Sequence, residues 1–450
     1  MSQPVFTHTH EQLQQFADDV LRHAKRLGAS DAAVDVSEGG GLSVGVRKGK
    51  VETIEQNQDK GASVTVYLGQ KRGNASTSDF SPAALQAAVE AAYNIARFTA
   101  DDPCAGLPDA DKLEMQPMDL QLCYPWLLPT EAAIDIALRC ETASFATDRR
   151  ISNSDGANVY TQQSHFVSAN TRGFIGGYPY SRHSISVAPI AGKGAKMQRD
   201  SWYSSQRDPA KLSAPEAIGR YAAERALSRL NARRLSTRNC PVLFEAPLAI
   251  GLLGAFVQAI SGGALYRKSS FLLDSLGQQI FPAHVRIAED PHLIGAVGSA
   301  PFDDEGVKTV KRDVVANGIV QGYFLSSYSA RQLGMQTTGN AGGSHNLFLT
   351  SSLTKKADNF ERMLKKLDTG LLVTGLMGQG VNYVTGDYSR GASGFWVEQG
   401  EIQYPVEEIT IAGNLKDMFQ QIVAIGTDTV TRGTKETGSI LIENMTIAGS

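Results

Sequence analysis

The sequence predicts an α+β protein of two domains, in which mostly antiparallel or mixed sheets are flanked by helices. Its length of 450 residues exceeds the usual size of a single domain. Strand-like runs follow one another through turns that are too short for parallel crossovers, which favours antiparallel pairing. The second half is rich in glycine and in strands, with helices between them. We therefore expect an N-terminal domain over residues 1–236 and a C-terminal domain over residues 237–450.

The composition is that of a soluble globular protein, with 42% hydrophobic and 20% charged residues. Lys and Arg together number 43, against 46 Asp and Glu, which gives a formal net charge of −3. Proteins that bind nucleic acid usually show a basic patch or a high isoelectric point. The observed balance therefore argues against direct contact with nucleic acid.

The cysteines and the N-terminal residues bear on the cellular compartment. Cys104, Cys123, Cys140 and Cys240 show no CxxC spacing, which argues against a zinc ribbon or a thioredoxin-like site. Scattered free thiols suit a reducing compartment. The first residues lack the basic and apolar regions of a secretory signal, and no apolar run is long enough to span a bilayer. We expect a cytoplasmic protein that does not insert into a membrane.

The first elements are a helix, a group of antiparallel strands and a second helix. Residues 9–27 are predicted as a helix with a capping box of Thr9 and Gln12. The strand-like segments that follow are residues 34–36, 42–46, 51–56, 63–68 and 72–77. Ser81 and Pro82 begin the second helix. Its packing face is rich in alanine, which would allow close approach to the sheet; the face comprises Leu85, Ala88, Val89, Ala92 and Ala96.

A long connection leads to a second group of the same order. Residues 101–128 are rich in Asp and Pro and are predicted as a linker or a surface loop. The elements that follow are a helix at 130–146, strands over 159–190 and a helix at 216–230. In the first of these helices, Ile134, Ala137 and Leu138 are predicted to face inward. The repeated order is compatible with an internal duplication, although no matching residues establish one.

The C-terminal domain begins with a buried strand at 241–244 and an apolar helix at 248–260. The apolar face of the helix comprises Leu252, Leu253, Phe256, Val257 and Ile260. The helix contains no His, Glu, Asp or Cys, and this pattern alone is typical of a core helix. Its end is predicted at Ser261-Gly262-Gly263.

The rest of the domain is predicted as short strands and short helices. Asn317-Gly318 between two alternating runs is a strong hairpin signal. Residues 340–345 are a glycine-rich loop, and Asn414 caps a helix over 415–425. The remaining predicted strands are residues 285–288, 371–374, 395–398, 402–405, 409–412 and 439–448.

Common catalytic motifs are absent from the chain. A zinc peptidase helix carries two histidines one turn apart with a glutamate, and here only His8 and His10 are close in sequence. A serine hydrolase would show GxSxG between a strand and a helix, but the nearest match, residues 391–394, leads into a strand. Gly378-Gln379-Gly380 lacks the following helix of a phosphate-binding loop.

Two polar groups and one histidine remain as candidate site residues. The first group comprises Asp387, Tyr388, Ser389 and Arg390, in a predicted loop bounded by glycines. The second group comprises Asp303, Asp304 and Glu305, and His345 ends the glycine-rich loop. Paired carboxylates can transfer protons or bind a cation, whereas turn residues more often cap their own backbone. We favour the turn role for the carboxylates and a hydrogen-bonded loop role for His345.

Long segments of the chain resemble the TldD/PmbA metallopeptidase family. The longest is GDYSRGASGFWVEQGEIQYPVEEITIAGNLKDM, which begins at Gly386. Others are SGGALYRKSSFLLDSLG, PFDDEGV, SSYSARQLG, TGNAGGSHN, DPCAG and LSRLNARRLST. Because these motifs are long and cover most of the chain, the resemblance is specific.

The resemblance implies a cytoplasmic peptidase of two related subunits that form a heterodimer. Peptidases of this family trim peptides, and their reactions include the removal of a microcin leader and the degradation of an antitoxin. The catalytic TldD-type subunit binds zinc through a helical HExxxH motif and a cysteine near its C-terminus. In an ungapped alignment the two histidine positions fall on Gly254 and Ala259 and the glutamate position on Ala255, and no cysteine follows Cys240. The chain therefore resembles the non-catalytic subunit, without zinc of its own and with zinc expected in the partner.

Peptide substrates would bind by adding a strand to an exposed sheet edge. Such pairing uses the main chain of the peptide and therefore tolerates many sequences. The polar group at residues 387–390 and His345 are the candidate contacts with peptide or partner. Two other hypotheses stay open: a regulatory binding protein of the DNA gyrase modulator type, and an independent hydrolase using Asp303, Asp304, Asp387 or His345. The sequence also leaves open whether the isolated chain forms a homodimer.

Overall fold

The computed structural model describes residues 6–449, and it is an α+β fold with sheets flanked by helices, as the sequence predicted. The chain divides into two compact units. The first contains the described residues up to Ser228 together with Ile294–Val297 and Pro301–Lys308. The second contains Arg229–Leu293, Gly298–Ala300 and the described residues from Thr309 onward. The boundary predicted after residue 236 lies in the segment between the last helix of the first unit and the first strand of the second.

The first unit is built on one eight-stranded antiparallel sheet. Its elements are α1 (His10–Arg26), β1 (Asp31–Arg47), β2 (Lys50–Leu68), β3 (Lys71–Thr77), α2 (Pro82–Phe98), α3 (Thr130–Thr147), β4 (Ile151–Asn170), β5 (Ile175–Gly176), β6 (Pro179–Ala191), β7 (Gln198–Arg199), β8 (Trp202–Gln206) and α4 (Pro215–Ser228). The strand order is β3-β2-β1-β4-β6-β7, with β5 paired to β4 and β8 paired to β6. Helices α1 and α2 cover one apolar cluster of this sheet, and α3 and α4 cover another.

Local signals determine the first two helices. Thr9 and Gln12 form the predicted capping box at the start of α1. Ser81 caps α2, and all five predicted packing residues of α2 are buried. The small residues of this face bring α2 very close to the sheet, since a Cβ atom built on Gly73 of β3 would lie 2.0 Å from the carbonyl oxygen of Ala92.

Sequence expectations for the first strands and for α3 were wrong in detail. Strands β1 and β2 are single strands of 17 and 19 residues rather than two short segments each, because they pair with one another along their length. Helix α3 buries Ala133, Ala137, Cys140, Glu141 and Ser144, whereas Ile134 and Leu138 are only partly buried. The Glu141 carboxylate accepts hydrogen bonds from the main-chain N–H groups of Lys48 and Gly49, at 2.9 and 2.8 Å. A long-range contact with the β1–β2 turn therefore sets the orientation of α3.

The second unit contains two six-stranded sheets and short helices. Its elements are β9 (Arg238–Phe244), α5 (Ala246–Ala259), α6 (Gly262–Tyr266), β10 (Val285–Asp290), β11 (Arg312–Ala316), β12 (Ile319–Val320), α7 (Ser327–Gln332), β13 (Asn346–Ser351), α8 (Phe360–Leu367), β14 (Gly370–Met377), β15 (Asp387–Glu398), β16 (Glu401–Asn414), α9 (Leu415–Gln420), β17 (Ile422–Ile425), β18 (Val430–Arg432), β19 (Lys435–Thr437) and β20 (Ile440–Ala448).

Both sheets of the second unit are mixed. One has the order β12-β11-β10-β13-β19-β18, in which only β13 and β19 are parallel. The other has the order β16-β15-β14-β9-β20-β17, with β9 and β14 parallel. Strand β16 also pairs with β20, so five strands of this sheet close on themselves. Closure removes free edges, and the enclosed side chains form much of the largest apolar core.

The structure corrects several predicted ends in the second unit. Ser261 is the N-cap residue of the short helix α6, so the glycines predicted to end α5 begin a new helix. The two predicted strands at 402–405 and 409–412 are one continuous strand, β16. Helix α9 ends at Gln420, and residues that had been predicted as its last turn form β17 against β20. The Asn317-Gly318 hairpin is present, with both residues at positive φ.

Two general properties complete the description of residues 6–449. None of their helices is long and apolar enough to cross a membrane. All four cysteines are free thiols, and Cys140 and Cys240 are buried. Burial raises the pKa of the Cys140 thiol to about 12 and that of Cys240 to about 11, so both are inert at neutral pH.

We expect Gly73→Ala to lower the free energy of unfolding by about 1–3 kcal/mol, because the added methyl group would push α2 away from β3. Gly61→Ala is the matched control. Gly61 lies on the neighbouring strand β2, and its Cβ would meet nothing closer than 3.9 Å. The control should be neutral or up to about 1 kcal/mol more stable. Equal effects of the two substitutions in urea denaturation would contradict the close approach of α2.

Candidate functional site

Helix α5 is held at the centre of the second unit by its first turn. The chain leaves β9, and the Glu245 N–H donates a hydrogen bond of 3.1 Å to the Val373 carbonyl on β14. Pro247 lies in the first turn, where its missing N–H has no cost. The helix packs against β14 and against the β18–β19 hairpin. The position of α5 is therefore set by two different sheets.

The three positions on which the ungapped alignment places the zinc motif, Gly254, Ala255 and Ala259, have different surroundings. Ala255 and Ala259 are 5% and 0% exposed and belong to the largest apolar core. Gly254 is half-buried, and a Cβ atom at this position would have no other atom within 4 Å. Gly251, one turn earlier, is exposed and also faces open space. At Gly251 and Gly254, α5 thus presents open main chain to its surroundings.

These residues do not fit a zinc ion. Zinc in proteins is bound by Cys, His, Asp or Glu side chains in a tight tetrahedral set. Gly254, Ala255 and Ala259 supply no donor atom, and the methyl groups of the two alanines are occupied by core packing. Within residues 6–449 no group of three His, Cys, Asp or Glu side chains is arranged to hold a metal.

The polar group at 387–390 lies on a strand rather than in the predicted loop. Its four residues begin β15 and pair with the last residues of β16. Tyr388 is buried in the apolar core, and burial raises the pKa of its hydroxyl to about 12, although the Arg390 cation acts in the opposite direction. Asp387 and Ser389 are exposed. Because side chains alternate along a strand, the four residues do not form one polar cluster.

Asp387 has a structural role in the turn that precedes β15. Its carboxylate accepts hydrogen bonds from the Thr385 hydroxyl at 2.6 Å and from the Asn414 side-chain amide at 3.3 Å. The Ser389 N–H donates to the Gly380 carbonyl at 2.6 Å. The segment 378–386 is therefore folded back onto β15, where Val381 forms a bridge with Tyr388.

His345 belongs to a separate buried network. Its N–H donates to Oε1 of Glu289 at 2.8 Å, and its ring Nε2 contacts the Gly339 carbonyl at 2.9 Å. Glu289 is 1% exposed and also accepts from the Asn340 amide and from Nε of Arg312, both at 2.8 Å. The loop role that we favoured for His345 is the one observed. His345 and Asp387 lie by different sheets, and no interaction joins them in the described part of the chain.

The acidic group at 303–305 is a turn in the first unit. Oδ1 of Asp303 accepts the N–H groups of Glu305 and Val307, each at 2.9 Å. Asp303 is 3% exposed, whereas Asp304 is exposed. This geometry matches the backbone-capping role of Asp in turns and separates the two carboxylates that an acid–base pair would need.

Sequence reasoning missed the Glu289 network and one lysine. Glu289 and Arg312 lie on neighbouring strands, β10 and β11, and only a strand register could have predicted their pairing. Lys435 lies on β19, the strand that packs against α5. It is half-buried and has no ion pair in the described part of the chain, and burial lowers the pKa of its ammonium group.

The fold and the family models together define the class of protein. Residues 237–449 match the PmbA/TldA metallopeptidase C-terminal domain, residues 123–230 match its central domain and residues 32–96 match domain 1. These matches cover most of the chain and identify a protein of the metallopeptidase type.

The chain belongs to the PmbA/TldD family. It is 48% identical to the metalloprotease PmbA of Escherichia coli O157:H7 over 94% of this chain and 93% of the relative. A crystal structure from Bacteroides thetaiotaomicron, described as a modulator of DNA gyrase, superposes with a TM-score of 0.92 at 26% identity, over 98% of this chain and 100% of that one. TldE from Thermococcus kodakarensis has the same fold, with a TM-score of 0.82 at 20% identity over 96% of this chain and 100% of that one.

We expect Glu289→Gln to lower the free energy of unfolding by about 3–5 kcal/mol, since it leaves the Arg312 guanidinium without its carboxylate. Glu401→Gln is the matched control, because Glu401 forms an exposed ion pair with Lys365 in the same unit. That control should change stability by less than about 1 kcal/mol. The measurement is urea denaturation of both variants, and similar small losses would show that the Glu289 network does not stabilise the unit.

Proposed function

We propose that this chain is the non-catalytic subunit of a TldD/TldE-type zinc metallopeptidase complex that processes or degrades peptides. The observation that carries the proposal is the character of α5 at the zinc-motif positions. Ala255 and Ala259 contribute methyl groups to an apolar core, and Gly254 has no side chain. We therefore assign zinc and the activation of water to the related catalytic subunit. The free cysteines are consistent with a cytoplasmic complex.

The open side of α5 supports a role in holding an extended peptide. Gly251 and Gly254 leave free space beside the helix. Strand β18 packs against the same helix and, within the described residues, pairs on one side only, with β19. An edge strand offers main-chain donors and acceptors to which an extended peptide can add. Such pairing would accept unfolded segments of many sequences, including a microcin leader or an antitoxin.

The similarity to a protein described as a modulator of DNA gyrase favours one other candidate function, a regulatory binding protein. The net charge of this chain is −3, which argues against direct contact with DNA. A regulatory role would therefore act through contacts with another protein. An independent hydrolase has less support. Asp303, Asp387 and His345 lie on separate elements, and each is engaged in hydrogen bonds that fix its own loop or turn.

The three functions are distinguished by peptide cleavage and zinc analysis of the purified chain, alone and mixed with a TldD-type subunit. We expect no cleavage and no stoichiometric zinc for the chain alone. The mixture should cleave unfolded peptides faster than the catalytic subunit by itself. Tight zinc with cleavage by the chain alone would instead establish the independent hydrolase. The absence of any gain on mixing would leave the regulatory role.

A bulky side chain on the open side of α5 tests the peptide path. We expect Gly254→Leu to fold at least as stably as the wild type, because the site is open and leucine is the better helix former by about 0.5–1 kcal/mol. Cleavage by the mixed complex should fall several-fold, mainly through a higher KM, because the side chain would occupy the space of the peptide. Ala87→Leu on the exposed face of α2 is the matched control. If both variants cleave at the wild-type rate, the peptide does not pass beside α5.

A further inference from the structure

A cavity of about 650 Å³ lies between α1 and α2 in the first unit. Its floor is formed by Phe16, Val20, Phe80 and Leu85, which belong to the apolar cluster under these helices or pack against it. The ring centroids of Phe16 and Phe80 lie 5.3 Å apart. Cavities that hold small molecules usually have volumes of about 300–1,000 Å³ and are lined mostly by apolar side chains. This cavity therefore has the size and the floor of a small-molecule site.

The floor of the cavity favours an apolar ligand over water. None of its side chains carries a polar atom. Water on such a surface makes few hydrogen bonds, and an apolar group that replaces poorly ordered water gains affinity. The ring of His8 lies 5.4 Å from the rings of Phe16 and Phe80, so the aromatic pair is supported by a third ring. The part of a ligand that contacts the floor is therefore expected to be apolar.

Basic side chains form the rim of the cavity. Arg22, His23, Lys25 and Arg26 line it from the C-terminal half of α1, where cations also suit the partial negative charge of the helix end. Asp19 is the one carboxylate among the described residues that line the cavity, and it forms an ion pair with Arg22. Lys25 and Arg26 are exposed and have no ion pair in the described part of the chain. These two cations are therefore available to an anion.

A short series of contacts holds the Arg26 side chain at the rim. Its Nη2 donates to Nδ1 of His23 at 3.3 Å, and Nε2 of His23 lies 3.3 Å from Oε1 of Glu90 on α2. When Nδ1 accepts from Arg26, the proton of the neutral ring lies on Nε2 and is donated to Glu90, so both contacts are satisfied. A guanidinium oriented in this way keeps its other N–H groups for a carboxylate, which it can bind through two parallel hydrogen bonds.

We propose that this cavity binds a small carboxylate with an apolar tail. The tail lies on Phe16 and Phe80, and the carboxylate is bound by Arg26 and Lys25. The chain as a whole has a formal net charge of −3, so the attraction for an anion is a local property of this rim. The inference goes beyond the proposed peptidase role, because it concerns the first unit and does not depend on zinc or on peptide cleavage.

The test is isothermal titration calorimetry of the full chain with octanoate as the probe. We expect saturable binding at a single site. 1-Octanol, which has the same tail without the charge, should bind at least about fivefold more weakly, because it forms no charge-assisted hydrogen bonds with the rim. Inorganic phosphate, which has the charge without the tail, should not bind measurably.

A charge variant tests the role of the rim. Arg26→Gln should weaken octanoate binding by about threefold to thirtyfold, because a guanidinium that binds the carboxylate is lost. Arg97→Gln is the matched control. Arg97 is the exposed cation in the last turn of α2 and does not line the cavity, so this substitution should change the affinity by less than about twofold.

A bulky variant tests the cavity itself. Gln86 is exposed on α2 and lines the cavity, so Gln86→Trp should abolish octanoate binding while the circular dichroism melt stays close to that of the wild type. Ala87→Trp, at the next exposed position of the same helix, is the matched control and should bind octanoate like the wild type.

The proposal is overturned if octanoate does not bind, if 1-octanol binds as tightly as octanoate, or if Gln86→Trp leaves the affinity unchanged. Phosphate binding that Arg26→Gln weakens would also contradict it, because the site would then need no apolar tail. Octanoate binding that appears only after deletion of residues 2–5 would assign the cavity to the N-terminal segment of the chain and would overturn the proposal as well.

Discussion

The packing of α5 is the constraint on which the second unit depends. The helix packs against β14 and against the β18–β19 hairpin, so its buried side must be apolar. Ala255 and Ala259 satisfy that requirement. A carboxylate or an imidazole at either position would need room and hydrogen-bond partners that this core does not contain. The same packing that stabilises the unit therefore leaves no room for a metal-binding side chain at Ala255 or Ala259.

Buried carboxylates in this protein accept hydrogen bonds from main-chain N–H groups and so hold turns and loops in place. Glu141 accepts the N–H groups at the β1–β2 turn, and Glu289 accepts the N–H of His345 and the side chains of Arg312 and Asn340. Glu38 in the first unit is contacted by the two rings of His8 and His165. Burial works to raise the pKa of Glu38, but the hydrogen bonds from these histidines outweigh it and lower the pKa. Each carboxylate is thus satisfied by donors from a distant part of the sequence.

This pattern explains which sequence expectations held. The starts of α1 and α2 were predictable because Thr9 and Ser81 are N-cap residues, and each accepts a hydrogen bond from a main-chain N–H within the first helical turn. The Asn317-Gly318 hairpin was predictable because positive φ at two adjacent residues is a local requirement. The polar group at 387–390 was expected in a loop, since its flanking glycines resemble a turn. Its strand character comes from pairing with β16, whose partner residues lie more than twenty positions away.

The sequence by itself determined the family, the α+β class and the absence of His, Cys, Asp and Glu from α5, because these properties depend on residue identity and on local spacing. Tertiary structure alone decided which side of α5 is open, which strand edges are covered and which polar residues share a surface. Those properties depend on strand register and on contacts between segments far apart in the chain. A period-two pattern predicts that a strand has two faces, but only its neighbours determine which face, and which edge, meets solvent.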